Sequence, residues 1–205
     1  MFFINGINAL LGWNAIVAAL DYLQASFADY NIYSFLPVPL FMAYLLIYML
    51  FRMVSSHLSY LAIIVTGNII INISMIGLFL VSVILEQTLA GFIVSLICSF
   101  GIGFGANLSH LTFFAMINFL DWQVISKFNV GAAVSGVFMV IVRMILVLIF
   151  GSGEKTSSIP SMIYFIIAIT VNTIDIFMNV YFCRSDVYKE KIEPFVVKKD
   201  KEEGI

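Results

Sequence analysis

The sequence predicts an all-α, polytopic membrane protein with six spanning helices, and three observations carry this prediction. Of the 205 residues, 62% are hydrophobic and only 11% are charged, whereas soluble domains carry about 25% charged residues. Six apolar stretches are long enough to cross a bilayer as helices, which takes about 20 residues each. The breaks between them are short and polar, so they leave little room for a soluble domain.

The predicted spans follow one another closely and cover 3–25, 35–55, 59–84, 90–119, 127–150 and 160–183. The first resembles a secretion signal in its hydrophobicity. It lacks a positively charged start and a clear cleavage site, and it is longer than the apolar core of a typical signal, so we expect it to be retained. The third and fourth spans are separated mainly by Glu86 and Gln87, which makes their boundary the least defined.

Basic residues predict the orientation, because cytoplasmic loops of membrane proteins carry an excess of Lys and Arg. With the N-terminus in the cytoplasm, eight of the ten basic residues fall on cytoplasmic segments, Lys155 falls outside, and Arg143 lies within a span. We therefore expect both termini in the cytoplasm. Residues 1–185 form the predicted six-span bundle, and 186–205 form a charged cytoplasmic tail that mixes both signs and is expected to be solvated.

Composition and motifs argue against several functional classes. The net charge of −2 indicates neither nucleic-acid binding nor a basic helix on a membrane surface. Cys98 and Cys183 lie far apart without metal-ligand spacing, so neither a metal nor a cofactor is expected. The spans lack paired carboxylates, a histidine cluster and a nucleophile–base signature, so we do not expect an enzyme. The functional classes that remain are movement of a solute across the bilayer and scaffolding within it.

Trp13 and Asn14 lie near the middle of the first predicted span, where polar groups are costly. At the helical rise per residue, Asn14 is about 16 Å from the inner end of the span. Its amide suits the edge of a nucleobase, and Trp13 suits stacking on a ring. The alternative is an interhelical hydrogen bond for Asn14 and simple packing for Trp13.

Small residues recur at four-residue spacing in the fourth and fifth spans. Gly101, Gly105 and Ser109 share one helix face, and Ala132 and Gly136 share another. Such faces allow helices to approach closely, as in GxxxG pairs, and could equally leave room for a substrate. We favour helix packing as the explanation.

Ionisable residues within the spans need partners, a water-filled cavity or the membrane interface. Arg143 lies about 10 Å from the outer end of its span, and Asp21 about 6 Å from the outer end of the first. These depths match, so we predict an Arg143–Asp21 ion pair. Asp175 lies nearer the inner side, roughly level with His110. A contact between these two is one interpretation, and snorkelling or pairing with tail lysines is the simpler alternative.

Several motifs resemble those of a known family. The segments, in chain order, are 2–14 (FFINGINALLGWN), 18–23 (AALDYL), 104–106 (FGA), the pair Gly131 and Gly136, Arg143, and 186–189 (DVYK). They resemble equilibrative nucleoside transporters, whose first span has a Gly-rich start followed by Leu-Leu-Pro-Trp-Asn. The resemblance covers about residues 2–190, in order and at matching spacing.

This resemblance implies movement of nucleosides or nucleobases by alternating access, either facilitated or proton-linked. It also implies the plasma membrane and a bundle similar to one half of a major facilitator transporter. The residues that we take as candidates for substrate binding are Trp13, Asn14, Val17, Gly105, Ser109 and His110. The candidates for conformational or packing roles are Gly101, Gly131, Ser135 and Gly136. The expected buried charges are Arg143, Asp21 and Asp175.

Three departures from the family pattern affect these expectations. Gly12 stands where the family has proline, so we expect a different kink. Ser109 stands where the family has a substrate-contacting glutamine, which leaves purine recognition open. Family members have eleven spans, so this chain is expected to form a homodimer, to pair with a separate second half, or to be truncated, and we favour truncation. The alternative function is a non-transporting scaffold or regulatory partner.

Overall fold

The structure is a computed structural model that describes residues 1–55, 59–151 and 158–194. All regular secondary structure in these ranges is helical, which confirms the all-α prediction. The helices are α1 (Phe2–Ala18), α2 (Leu20–Ser26), α3 (Ile32–Phe35), α4 (Pro37–Ser55), α5 (Tyr60–Ile84), α6 (Leu89–Ile117), α7 (Trp122–Phe150), α8 (Ser158–Cys183) and α9 (Asp186–Lys191).

Five helical segments in the described ranges are long and apolar enough to cross a membrane. They are Ile32–Phe51, Tyr60–Ile84, Leu89–Ile117, Trp122–Phe150 and Ile159–Cys183. Helices α1 and α2 pass the same test together, although they are bent by 48° relative to each other. Counting this bent pair as one span gives the six that the sequence predicts, and the chain is consistent with a multi-pass integral membrane protein.

The bend in the first span lies at Ala19, which has φ −92° and ψ 3°. Its N–H reaches the carbonyls of both Ala15 and Ile16, so the backbone turns while its donor stays satisfied. Helix α1 runs unbroken through Gly12, the position at which the resembled family has proline. The first span is therefore bent later than a proline at residue 12 would bend it.

Capping side chains define the turn between the third and fourth spans. Thr88 Oγ1 accepts a hydrogen bond of 3.0 Å from the Gly91 N–H and so begins α6. The preceding residue, Gln87, has a positive φ of 57°. Its N–H donates to the Ser26 carbonyl at 2.8 Å, which ties this turn to the end of α2. The boundary that the sequence left least defined is thus a fixed turn.

Helix pairing in the bundle follows a two-fold pattern. We number α1–α2 as span 1, α3–α4 as span 2, and α5 to α8 as spans 3 to 6. The main contacts join the following pairs of spans: 1 with 5, 2 with 4, 1 with 6, 3 with 4, 3 with 6, and 1 with 4. Exchanging spans 1, 2 and 3 with 4, 5 and 6 reproduces the same set of pairs. Helices α1 and α6 therefore lie at the centre, with α7 beside α1 and α4 beside α6.

Two glycines allow α1 and α7 to approach with their backbones in contact. A Cβ atom on Gly6 would overlap the carbonyl oxygen of Phe128, and a Cβ atom on Gly131 would overlap the carbonyl oxygen of Phe3. Helix α7 begins at Trp122, earlier than the predicted 127, because helical hydrogen bonding already starts where the Asp121 carbonyl accepts the Val124 N–H at 2.9 Å. The crossing with α1 follows within its first three turns.

The first part of the predicted tail is folded against the bundle. Ile192, just after α9, is fully buried, and the Tyr188 ring packs edge-on against Phe182 with 5.9 Å between centroids. Burial raises the pKa of Tyr188 to about 12. Residues 56–58, 152–157 (with Lys155) and 195–205 lie outside the described residues. The orientation and the division into bundle and tail stay predictions.

Candidate functional site

Polar side chains collect at two places in the bundle. The first, which we call the α1–α7 surface, borders a cavity of about 70 Å³ and is lined by Asn14, Val17, Ala18, Gly136, Met139, Val140 and Arg143. The second, which we call the asparagine cluster, lies inside the bundle between α1, α5 and α8. It comprises Asn5, Asn8, Asn68, Asn72, Asn172, Asp175 and Asn179.

The α1–α7 surface combines an interhelical hydrogen bond with open space. Asn14 is half-buried, and its Nδ2 donates to Ser135 Oγ at 3.0 Å. Val17 is 37% exposed one turn further along α1. A Cβ atom on Gly136 would lie 3.9 Å from Asn14 Nδ2, with no nearer neighbour. Gly136 therefore leaves room beside Asn14, whereas Gly131 is closed by backbone.

Trp13 lies beside this surface and bridges α1 to α4. Its ring is 5.6 Å from that of Phe41 by centroid distance, and Phe41 is 6.4 Å from Tyr44. Phe41 is 57% exposed, whereas Trp13 is half-buried. The rings of Trp13, Phe41 and Tyr44 thus form a row that runs from α1 to α4.

The structure brings Arg143 and Asp21 together, as their matching depths predict. Arg143 Nη2 lies 2.5 Å from Asp21 Oδ2, and the Tyr33 hydroxyl donates to Asp21 Oδ1 at 2.7 Å. The two charged side chains are 41% and 61% exposed, so this chain does not enclose them. In contrast, Asp175 is only 3% exposed. Of the three charges that we expected to be buried, Asp175 alone lies inside the bundle.

Exchanging the two charges tests the Arg143–Asp21 pair. Asp21→Arg or Arg143→Asp alone places like charges together, and either is expected to reduce the yield of folded, membrane-inserted protein. The double reversal should restore most of that yield, because it recreates the attraction between opposite charges at the same two positions. The measurement is the monodisperse peak of fluorescently tagged variants in detergent. Asp29→Arg, at an exposed position in the turn after α2, is the matched control and should change little. No recovery in the double variant would contradict the pair.

The small-residue face of α6 lies against α5. A Cβ atom on Gly105 would overlap the carbonyl oxygen of Gly67, and Gly101 lies on the same contact. Ser109 Oγ donates to the Ile64 carbonyl at 3.2 Å. This face therefore forms a close helix–helix contact, and it is separate from the α1–α7 surface.

His110 lies next to this contact and borders a small internal cavity. Its ring packs edge-on against Phe128 at 5.3 Å and parallel to Phe114 at 6.1 Å, by centroid distances. Asp175 lines the same cavity. The structure thus divides the predicted substrate-binding residues into two groups. Trp13, Asn14 and Val17 lie on or beside the α1–α7 surface. Gly105 and Ser109 lie on the α5 side of α6, and His110 packs against Phe128 of α7.

The asparagine cluster surrounds the Asp175 carboxylate. Asp175 Oδ2 accepts hydrogen bonds from the Nδ2 groups of Asn8 (3.0 Å), Asn68 (3.0 Å) and Asn179 (3.1 Å). Asn8 Nδ2 also donates to Asn172 Oδ1 at 2.8 Å. All four amide side chains are buried. Three helices therefore meet around one carboxylate through amide groups alone.

The sequence identifies Asp175 as a candidate site residue but not the asparagines around it. A signal for them exists in the spacing. Asn68 and Asn72 are one turn apart in α5, and Asn172, Asp175 and Asn179 repeat at i, i+3 and i+7 in α8. Each set therefore lies on one helix face. Two polar faces in apolar spans predict that these helices meet each other in the interior.

The fold is consistent with the class of helical, multi-pass integral membrane proteins. Among the residues that the structure describes, no three His, Cys, Asp or Glu side chains lie close enough together to hold a metal ion. No family model matches the chain, and no curated protein matches it. Inferences about function therefore depend on the sequence motifs and on the geometry of the two polar regions.

Proposed function

We propose that this chain forms a six-helix half of a transporter for nucleosides or nucleobases that operates by alternating access in the plasma membrane. The observation that carries the proposal is the α1–α7 surface, where Asn14, Val17 and Arg143 border one cavity between the central helix α1 and its neighbour α7. Buried or membrane-embedded polar groups of this kind mark solute pathways. The substrate class comes from the resemblance of residues 2–14 to equilibrative nucleoside transporters.

The two-fold exchange of helix pairs supports the transporter-half architecture. Each half of a major facilitator transporter is built from two three-helix repeats, and substrate lies between the halves near the bilayer midplane. Here the exchange relates α1 to α6, which lie at the centre, and α4 to α7, which lie beside them. Alternating access needs a facing bundle, so we propose that the side of the chain carrying the α1–α7 surface meets one. A second copy of this chain or a separate second half would supply it.

The chemistry of the surface suits a nucleobase or nucleoside. Trp13 offers a ring face for stacking, which contributes about 1–3 kcal/mol per base where it is measured. The Asn14 amide can exchange its bond to Ser135 for one to a base edge, because the space beside Gly136 is open. Arg143 and Asp21 supply a donor and an acceptor for sugar hydroxyls at the outer end of the surface.

Uptake of radiolabelled uridine, adenosine and hypoxanthine in a host without nucleoside transport tests the proposal. We expect uptake above that of the empty vector for at least one solute. Trp13→Ala should reduce it about tenfold, since losing a stacking contact worth 1.4 kcal/mol changes binding by that factor. Asn14→Ala should reduce it by a similar factor. Trp122→Ala changes the chain's other tryptophan, which is 74% exposed at the start of α7, and should leave uptake unchanged.

Uptake equal to the vector for all three solutes, with the protein present at the cell surface, would contradict transport by this chain alone. Cross-linking through Val17→Cys, in a background without Cys98 and Cys183, identifies the facing bundle. A cross-linked dimer indicates a second copy. Monomer alone directs the search to a separate second half, tested by co-expression in the same uptake assay.

A non-transporting scaffold is the second candidate, and one observation favours it. Polar groups in both regions mostly bond to one another across helices, as the Asn14–Ser135 and Asn5–Asn179 bonds illustrate. The cavities that border the two polar regions measure about 20 and 70 Å³, which is less than a nucleoside fills. A scaffold would give folded protein at the membrane, no uptake of any solute, and no effect of Trp13→Ala on its assembly.

A further inference from the structure

Asp175 is a buried carboxylate without a cationic partner in the part of the chain that the structure describes. It is 3% exposed, and neither ion pair found there involves it. Three amide N–H groups satisfy one of its oxygens, Oδ2. Amides solvate a negative charge but do not neutralise it, so an ionised Asp175 would be uncompensated among the described residues.

Two oxygen atoms beside one cavity lack any hydrogen-bond partner. They are Asp175 Oδ1 and Asn5 Oδ1, both buried. The chain of amides sets the direction of Asn5, because its Nδ2 donates to Asn179 Oδ1 at 3.0 Å while Asn179 Nδ2 donates to Asp175. Asn5 is thereby left with an acceptor to satisfy. Both side chains line a cavity that offers about 20 Å³ to the centres of water-sized molecules, which is room for about one such molecule or ion.

Five of the eleven residues that line the cavity carry polar side chains, and the other six are apolar. Asp175 is the acidic residue among the five, Asn5, Asn8 and Ser109 carry amide or hydroxyl oxygens, and His110 carries a ring nitrogen. Hard cations prefer carboxylate, amide-carbonyl and hydroxyl oxygens. One positive charge offsets Asp175, whereas a divalent ion would leave an excess of charge in a medium that disfavours it.

We propose that this cavity binds a monovalent cation, Na⁺ or a proton, held between Asp175 and Asn5. The occupant satisfies both unpartnered oxygens and neutralises the carboxylate. The site lies at the meeting point of α1, α6 and α8, away from the α1–α7 surface. The proposal goes beyond transport, since cation binding is measurable on a chain that transports nothing.

Few other titratable groups face Asp175. His110 on α6 lines the same cavity. On α1 the amino group of Met1 is near enough to contribute a weak favourable interaction with the carboxylate. Helix α5 carries Tyr60 at its start, and α8 carries Tyr164, Tyr181 and Cys183, none of which lines the cavity. A dependence on pH that Asp175→Asn removes is therefore assigned to the carboxylate.

Thermal unfolding of the purified full chain in detergent tests the proposal. The apparent Tm is measured at constant ionic strength with Na⁺ or N-methyl-D-glucamine as the cation, at mildly acidic and mildly alkaline pH. A ligand that binds only the folded state raises Tm, and we expect a shift of about 5 °C at saturation. A rise with Na⁺ at alkaline pH identifies Na⁺. A rise on acidification that is independent of Na⁺ identifies a proton, because the folded chain then retains a proton that the unfolded chain releases.

Asp175→Asn replaces the carboxylate by an uncharged side chain of nearly the same shape. The Tm of this variant should rise neither with Na⁺ nor on acidification. Asn5→Ala removes one oxygen and keeps the charge, and it should raise the half-saturating Na⁺ concentration, or lower the acid-induced shift, severalfold. Asp186→Asn, an exposed carboxylate outside the cavity, should behave as the wild type. A wild-type Tm that responds to neither cation, or an equal response in Asp175→Asn, would overturn the proposal and leave water as the occupant.

Discussion

Replacing Gly131 by alanine is expected to lower the free energy of unfolding by about 3 kcal/mol, at the upper end of the range for overpacking. The added Cβ would overlap the carbonyl oxygen of Phe3 and crowd the Cα of Gly6. Backbone atoms cannot move aside as a flexible side chain can, so α1 and α7 would have to separate. The measurement is thermal or denaturant unfolding of the purified protein in detergent.

Gly136→Ala is the matched control for this substitution, because it makes the same change on the same helix. Its nearest neighbour would be Asn14 Nδ2 at 3.9 Å, an ordinary contact distance. Alanine is the better helix former by up to about 1 kcal/mol, so Gly136→Ala should leave stability unchanged or raised. Equal losses at the two positions would show that α1 and α7 do not cross at Gly131.

This pair of glycines shows what sequence reasoning can and cannot provide. Their spacing identifies both as candidates for packing or conformational roles, and they belong to one small-residue segment of α7. The neighbour that distinguishes them is the backbone near Phe3, which is distant in sequence. Local pattern therefore predicts that a close approach exists somewhere on the helix, and only the packed structure locates it.

The spans themselves were predictable, because apolar length sets them almost without reference to tertiary contacts. The bend at Ala19 was not. Alanine is the strongest helix former, so nothing local at that position predicts a break. The turn at Gln87 is hydrogen-bonded to Ser26, the last residue of α2, which is the helix that follows the bend. The path of the first span therefore depends on packing between segments far apart in sequence.

The Arg143–Asp21 pair could be predicted from the sequence, whereas the asparagine cluster could not. The pair was predictable because a permanent charge in a span needs a partner, and depth restricts the candidates. Asn68 and Asn172 carry no charge, and each alone is accounted for by an ordinary interhelical hydrogen bond. Asn68 bonds to Asp175 directly, and Asn172 joins the same network through Asn8. That network emerges only when the polar faces of α5 and α8 are considered together.

Replacing Asn68 by leucine is expected to lower the free energy of unfolding by about 1.5–3 kcal/mol, the range found for a hydrogen bond to a charged group. Asn68 is fully buried, and its Nδ2 donates to Asp175 Oδ2 at 3.0 Å. Leucine is similar in size and removes this donor from the carboxylate. The loss should exceed that of an average interhelical hydrogen bond in a membrane, about 0.6 kcal/mol, because a charge is left less solvated.

Asn72→Leu provides the matched control one turn along the same helix. Asn72 bonds to Asn172 and Thr173 but not to Asp175, so its replacement should cost only about 0.6–1.7 kcal/mol. The double variant Asn68→Leu/Asp175→Leu should recover stability relative to Asn68→Leu, since apolar replacement of a buried polar group and its partner is often neutral. Additive losses in the double variant would mean that Asn68 stabilises the bundle independently of the carboxylate. Recovery would instead identify the charge on Asp175 as the reason why three helices direct their asparagines to one point.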